Sequence, residues 1–284
     1  MNKLPLTTRT TIINMLCEGS SLRAISRITG CSINTVTKLL NDAGEGCAIY
    51  HDKHVKDVKA NRVQADEIWS FIYSKEKNAT MRLKVKYDAG DCYTWVALDA
   101  DSKLVISWYA GDRDKEAGLY FMQDLQSRLA NRIQLTTDGL GIYKEAVRLT
   151  FGNNIDFAQL VKVYDEFSQT PHNDRRYSPA RYNYSKQSIV RGEPDTEHIS
   201  TSYVERQNLT MRMNMRRFTR LTNGFSKRLR NHRNALALHY FYYNFCRIHK
   251  TLRVTPAMAS GITDDIMTCE DIVRLADIEY TDDI

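Results

Sequence analysis

Residues Gln64 to Tyr73 read QADEIWSFIY. Ile, Trp, Phe and Tyr crowd a run with no helical spacing, which is the pattern of a β-strand. The strand carries two adjacent acids, Asp66 and Glu67. A pleated strand points neighbouring side chains to opposite faces, so only one of the pair is expected to join a site on a given face. Outward from this run the same reading gives a second strand over Cys92–Asp99 (CYTWVALD), a DADSK turn, and a third strand over Leu104–Ala110 (LVISWYA). Asp114–Leu129 follows as a helix with Leu119, Met122, Leu125 and Leu129 on one side. Arg132–Thr137 is a short strand that ends at Asp138-Gly139. Ile142–Thr150 is a helix and Phe157–Tyr164 a further strand.

The order β-β-β-α-β-α-β is that of a ribonuclease H-like domain, an α/β fold in which a mixed sheet carries helices on both faces. The expected domain spans 63–260. Within it, residues 202–227 read SYVERQNLTMRMNMRRFTRLTNGFSK. As a helix this stretch places Glu205, Leu209, Arg212 and Arg216 along one face, and Val204, Met211, Met215 and Phe218 along a second, buried stripe. Ser202-x-x-Glu205 also fits a capping box, which gives Glu205 a purely structural explanation. Asp138 has one as well, since Asp-Gly is an ordinary turn, and Asp66 could be a solvent-facing strand acid.

Upstream, Thr8–Gly19, Ser21–Thr29 and a helix capped by Ser32 make a small all-helical unit, expected over 1–45. Gly30 in the turn, and the inward spacing of Leu22, Ile25, Ile28, Val36, Leu39 and Leu40, match the helix-turn-helix pattern. On that geometry Ile33, Asn34, Thr35 and Lys38 face the major groove of DNA. Residues 46–62 are polar and periodless and read as a linker. Cys47, His51 and His54 within it have ligand-like spacing but no second pair to complete a zinc site.

Composition narrows the function class. The 284 residues are 42% hydrophobic and 26% charged, with a net charge of +6. The charge is unevenly placed: Phe167–Arg233 holds 14 Lys and Arg against five acids, whereas Ile262–Ile284 holds eight acids and one Arg. A basic block with interleaved Tyr is the footprint of a nucleic-acid surface. The aperiodic insert 168–201, with three of the five prolines, reads as a long loop that orders on binding. The acidic 261–284 tail reads as a solvated end. No apolar run approaches the ~18–20 residues of a membrane helix, and six scattered cysteines without a CxxC pair fit a reducing compartment. A cytoplasmic, DNA-associated (nucleoid) protein is expected.

Three acids from separate elements, Asp66, Asp138 and Glu205, can converge in a ribonuclease H-like order. Phosphoryl transfer on DNA needs such a set, because carboxylates can hold two Mg²⁺ ions that clamp the attacking and leaving oxygens. The segments ADEIWSFIY, TTDGLGIY and YVERQNLTMR resemble the three acidic motifs of the insertion-sequence-one family of DDE transposases. Glu205, Arg206, Asn208, Leu209, Arg212, Arg217, Arg220, Phe225, Ser226 and Lys227 stand where that family's pattern has them. The resemblance covers about residues 64–250, with a looser match in the helix-turn-helix.

It implies Asp66, Asp138 and Glu205 as catalytic, metal-binding acids. It also implies two Mg²⁺ ions, with Mn²⁺ able to substitute, and cleavage and strand transfer of double-stranded transposon ends into target DNA. Arg206, Asn208, Arg212, Arg216, Arg217, Arg220 and Lys227 would contact DNA, and a homodimer or larger synaptic complex would pair the two ends. The chain departs from the family in lacking a zinc signature and in its long insert. Two other readings share the DNA binding: an inactive transposase relic acting as a helix-turn-helix regulator, and a metal-dependent nuclease without strand transfer.

Overall fold

In a computed structural model, residues 3–164, 182–219 and 222–278 are described. Arg220, residues 168–181 of the basic insert, and the acidic residues beyond 278 lie outside them.

Helices α1 (Leu6–Cys17), α2 (Leu22–Thr29) and α3 (Ile33–His54) come first. Ser21 and Ser32 cap α2 and α3 as their spacing requires: Ser21 Oγ accepts from Ala24 N, and Ser32 Oγ accepts from Asn34 N. Gly30 supplies the left-handed residue of the turn, at φ 69°. Then follow β1 (Arg62–Ile72), α4 (Met81–Tyr87), β2 (Gly90–Asp99), β3 (Val105–Gly111), α5 (Lys115–Arg128), β4 (Gln134–Thr137), α6 (Gly141–Phe151) and β5 (Asp156–Tyr164). After these come β6 (Tyr182–Arg191), α7 (Ser202–Asn214), α8 (Leu229–Phe241), α9 (Pro256–Ala259) and α10 (Cys269–Leu275).

The strands form one six-stranded mixed sheet in the order β3-β2-β1-β4-β5-β6. The β1–β2, β2–β3 and β5–β6 pairs are antiparallel, while β1–β4 and β4–β5 are parallel. This is the expected ribonuclease H-like sheet with one further edge strand. Parallel neighbours need crossover helices, and α5 and α6 supply them on one face. There Trp95 of β2 packs against Phe121 of α5 and Tyr143 of α6. The other face takes α7 and α8. Gln64 Oε1 accepts from Tyr203 N and Val204 N at the start of α7, and Trp108 lies against Tyr240 of α8. The second stripe read on residues 202–227 is buried as expected: Val204, Met211, Met215 and Phe218 are all at most 7% exposed.

Four expectations need correcting. First, α3 does not stop before the stretch read as a linker. It runs 22 residues to His54, with Gly44, Gly46, Cys47 and His51 buried. The polar residues on its outer side hid a helix that packs against α8 through Gly44 and against the end of α10 through Gly46. Second, residues 202–227 are not one helix. α7 ends at Asn214, Arg216–Phe218 make a separate 3₁₀ turn, and Arg216 therefore leaves the Glu205 face. Third, part of the insert read as a loop is β6, which covers the edge of β5. Fourth, the acidic tail contains α10, whose Cys269, Ile272 and Val273 are buried in the common core with α1. Asp277 then reaches back to Lys3 and Arg9.

Gly44 measures how closely α3 and α8 approach. A Cβ there would sit 2.4 Å from the Asn234 carbonyl oxygen and 2.6 Å from its Cα. Backbone atoms of a packed helix cannot yield cheaply. Gly44→Ala should therefore destabilise the fold by ~1–3 kcal/mol through overpacking, although alanine is the better helix former by up to ~1 kcal/mol. Thermal denaturation checks the sign: a higher melting temperature would mean that α3 and α8 are not in contact.

Candidate metal centre

The site arises where a parallel ladder runs out. β1 and β4 pair from Arg62↔Gln134 to Ala65↔Thr137. The next residues are Asp66 and Asp138, side by side just past the last rung. Beyond that point the β4 edge of β1 is open, and carboxylates can lean into it from either face.

Asp66, Glu67 and Asp138 each bring a carboxylate oxygen within 4.8 Å of the others. Glu67 was not expected here. Its backbone obeys the pleat: Asp66 faces α7, where Asn208 Nδ2 donates to Asp66 Oδ2 at 2.8 Å, and Glu67 faces α6, where Tyr143 Oη donates to Glu67 Oε2 at 3.0 Å. Its longer side chain nevertheless carries the carboxylate to the shared strand end. Arg113 Nη2 pairs with Glu67 Oε1 at 2.6 Å.

Asp138 is placed by its backbone. Its Oδ1 accepts from Leu140 N at 3.0 Å, the side-chain turn that Asp-Gly favours. Gln159 of β5, 2% exposed, donates Nε2 to the Asp138 carbonyl at 2.8 Å and to the Leu140 carbonyl at 3.1 Å. Gly139 is required for close approach: a Cβ there would lie 2.9 Å from Val161 Cγ2.

Glu205 stands at the start of α7 but outside the group of three. Its capping box does not form. Thr201, not Ser202, is the N-cap, and no cap hydrogen bond comes from its side chain. Instead Lys162 of β5 donates to both Glu205 oxygens, and Thr201 Oγ1 donates to Oε1 at 2.6 Å. The Glu205 charge still reaches Asp66, where it is the weakest of the effects acting on that carboxyl.

The electrostatics of the group are those of crowded like charges. Burial first, then the charges of Glu67 and Asp138, push the Asp66 carboxyl up to about 7. Burial and Asp138 likewise raise Glu67, against the pull of Arg113 and Tyr143. Tyr143, wholly buried, is held well above its ordinary range, chiefly by burial and by Glu67. Three hard oxygen donors that repel one another across less than 5 Å are the donor set a divalent cation such as Mg²⁺ relieves. The residues present fit that group.

The expected DNA contacts are dispersed. Ile33, Asn34, Thr35 and Lys38 are exposed in the first turns of α3, and Lys38 pairs with Asp42 at 2.5 Å. Arg206, Arg216 and Lys227 are exposed, and Arg212 and Arg217 are half-buried. Asn208 is buried and turned to Asp66 instead. Glu67, Arg113, Tyr143, Gln159 and Lys162 escaped the sequence reading. Only the adjacency of Glu67 to Asp66 hinted at any of them.

No family model matches this sequence, and no curated protein matches it. Among the solved structures that align with it are two at low similarity. One is a piggyBac transposase synaptic complex with hairpin DNA, at 10% identity and a TM-score of 0.43, over 95% of this chain and 69% of that one. The other is a pre-cleavage Mos1 transpososome, at 10% identity and a TM-score of 0.21, over 55% of this chain and 60% of that one. Among the described residues no helix is long and apolar enough to cross a membrane.

Between about pH 4 and pH 7 native Asp66 keeps a proton that the unfolded chain has released. Its contribution to stability is therefore lost as pH rises through that window. Buried His51, His232 and His239, pushed down to about 4, 3 and 3 chiefly by burial, slope the opposite way and lose stability below about pH 6.5. The Asp66 effect is best read as a difference. In chelator, Asp66→Asn should melt close to the parent at pH 5 and several degrees higher at pH 8. A gap independent of pH would mean that the carboxyl is not crowded.

Proposed function

We propose that this protein is a DDE transposase of the insertion-sequence-one type, cutting transposon ends and joining them to target DNA. The observation that carries the reading is the meeting of Asp66 and Asp138 at the end of the β1–β4 ladder; Glu205 on α7 lies outside that group but near enough for its charge to act on Asp66. Asp66 and Asp138 would hold the metal, Glu205 is the third acid, and Glu67 adds a fourth oxygen donor. Two bound Mg²⁺ ions, or Mn²⁺ in their place, would supply activation of the attacking oxygen and stabilisation of the leaving one.

The chain's own residues supply position. Asn208 orients the Asp66 carboxylate, Gln159 fixes the turn that presents Asp138, and Lys162 with Thr201 holds Glu205 at the head of its helix. Arg206, Arg212, Arg216, Arg217, Arg220 and Lys227 belong to the DNA path, where guanidinium groups grip phosphate in pairs of hydrogen bonds. Ile33, Asn34, Thr35 and Lys38 of the helix-turn-helix would read the terminal repeats. Pairing of two ends calls for a dimer or larger synaptic assembly.

The test uses duplexes that carry the DNA flanking the coding frame. The parent protein should cleave them in Mg²⁺ and join the freed 3′ ends to a target plasmid. Asp138→Asn and Glu205→Gln should each abolish both steps while end binding, read by gel shift, persists. Joining by either variant would remove that residue from the site. Cleavage without joining by the parent points to a nuclease, and binding without cleavage to a relic.

Among the described residues the Asn208 side chain makes one hydrogen bond, to the Asp66 carboxylate, as a partner behind a metal ligand does. Asn208→Ala should weaken Mg²⁺ affinity ~10–100-fold and leave end binding intact. Isothermal titration with Mg²⁺ reads this directly, and an unchanged affinity would make Asn208 a packing residue alone.

A further inference from the structure

A cleft of about 790 Å³ opens between the helix-turn-helix unit and the segment that joins α7 to α8. One wall is the α1–α2 turn and the first turn of α3, including Ile33 and Asn34. The other is Asn214–Arg217, Asn223–Phe225 and Lys227, with Asn231, Leu238 and His239 of α8 behind them.

Its charge is one-sided. Arg23, Arg216, Arg217 and Lys227 line it, and no Asp or Glu is among its described lining residues, although the chain as a whole holds 34 acids to 40 cations. Arg217 donates Nη1 to Ser226 Oγ at 2.8 Å, and among the described residues no carboxylate pairs with it. Burial pulls its guanidinium down to about 10. A half-buried cation without a counter-charge beside it favours a ligand that provides one. His239, 7% exposed on the same wall, leaves its buried Nε2 without a hydrogen-bond partner. Amides of Asn34, Asn214, Asn223 and Asn231 alternate with Leu16, Leu22, Met215 and Leu238 over the remaining surface.

Cations without acids select phosphate, and apolar side chains beside free amide groups can take up a nucleobase. The volume lies within the ~300–1,000 Å³ of small-ligand sites, which is room for about one or two unpaired nucleotides and not for a duplex. The walls are also fixed. Gly19, at φ 77°, brings the α1–α2 turn so close to α7 that a Cβ there would lie 2.8 Å from the Asn214 carbonyl oxygen. Asn214, the last residue of α7, is nine residues beyond Glu205, or ~14 Å along the helix axis. A strand with a phosphodiester at the acids thus reaches the cleft within a few nucleotides.

We propose that this cleft holds an unpaired stretch of DNA strand, its phosphates on Arg216, Arg217 and Lys227 and its bases against the asparagine amides; the assignment of DNA as the ligand rests on the transposase reading. Unwinding at a cleaved end would supply that strand, and the cleft would keep it from re-pairing.

Binding in chelator separates this idea from the catalytic one, because no cutting is involved. Fluorescence anisotropy is measured with labelled single-stranded pentathymidylate and with a labelled blunt hairpin duplex, and with thymidine monophosphate as competitor. The full chain should bind the pentamer. Arg23→Glu and Asn223→Trp, at exposed positions of the cleft wall outside the proposed duplex contacts, should each weaken that binding about tenfold, the first by reversing a charge and the second by narrowing the cleft. Hairpin binding should change far less, and the monophosphate should not compete at millimolar concentration. Equal losses for pentamer and hairpin would reduce the cleft to part of a general basic surface. Competition by the monophosphate would make it a mononucleotide site, and an unaffected pentamer would empty it of this role. A chain that holds the pentamer through the cleft yet never cuts DNA would refute the transposase reading and leave the strand site standing.

Discussion

Everything about the acidic centre depends on a four-residue parallel ladder. Hydrogen bonds between β1 and β4 fix Ala65 beside Thr137, and covalent geometry then requires Asp66 and Asp138 to be neighbours. The ladder is buried: Val63, Ala65, Leu135 and Thr137 are each at most 1% exposed, so a slip in register would expose core residues. Hydrophobic burial thereby holds together two groups that repel each other. Burial above all, then the charges of Glu67 and Asp138, raises the Asp66 carboxyl.

Each acid is restrained by a residue from another element. Asn208 on α7 holds Asp66, Arg113 and Tyr143 hold Glu67, Gln159 on β5 holds the Asp138 turn, and Lys162 on β5 holds Glu205. The centre therefore reports on the whole sheet. Displacing β5 would loosen two acids at once, and displacing α7 would release both Asp66 and Glu205. The edge strand β6 covers β5 and so guards this arrangement from outside.

The N-terminal helices belong to the same framework. Gly44 lets α3 lie against the backbone of α8, Gly46 approaches Leu275 at the end of α10, and Gly19 meets Asn214 at the end of α7. Helices that close cannot slide independently. The N-terminal helices and the acidic centre are thus connected through α7 and α8, and the basic cleft is lined by α1–α3 on one side and by the end of α7 and α8 on the other.

The order of the first five strands and of α5 and α6, and with it five of the six strands of the sheet, was legible in the sequence, because strand and helix periods are local properties of the side chains. The sequence also determined Asp66 and Asp138 as partners, since both sit at recognisable strand positions in a known order. Where polar residues cover one face of a helix the local signal failed. α3 from residue 46 onward read as linker and α10 as tail, because their apolar contacts, through Gly46, Cys47 and Cys269, are short and irregularly spaced. Only the tertiary structure decided which groups surround each acid. Whether Glu205 caps its own helix or meets Lys162, 43 residues away, is a competition between a local and a distant partner, and chain spacing carries no information about the distant one. The same holds for Glu67: the pleat sends its Cβ to the far face, and the open end of a ladder three strands deep in the sheet brings its carboxylate back.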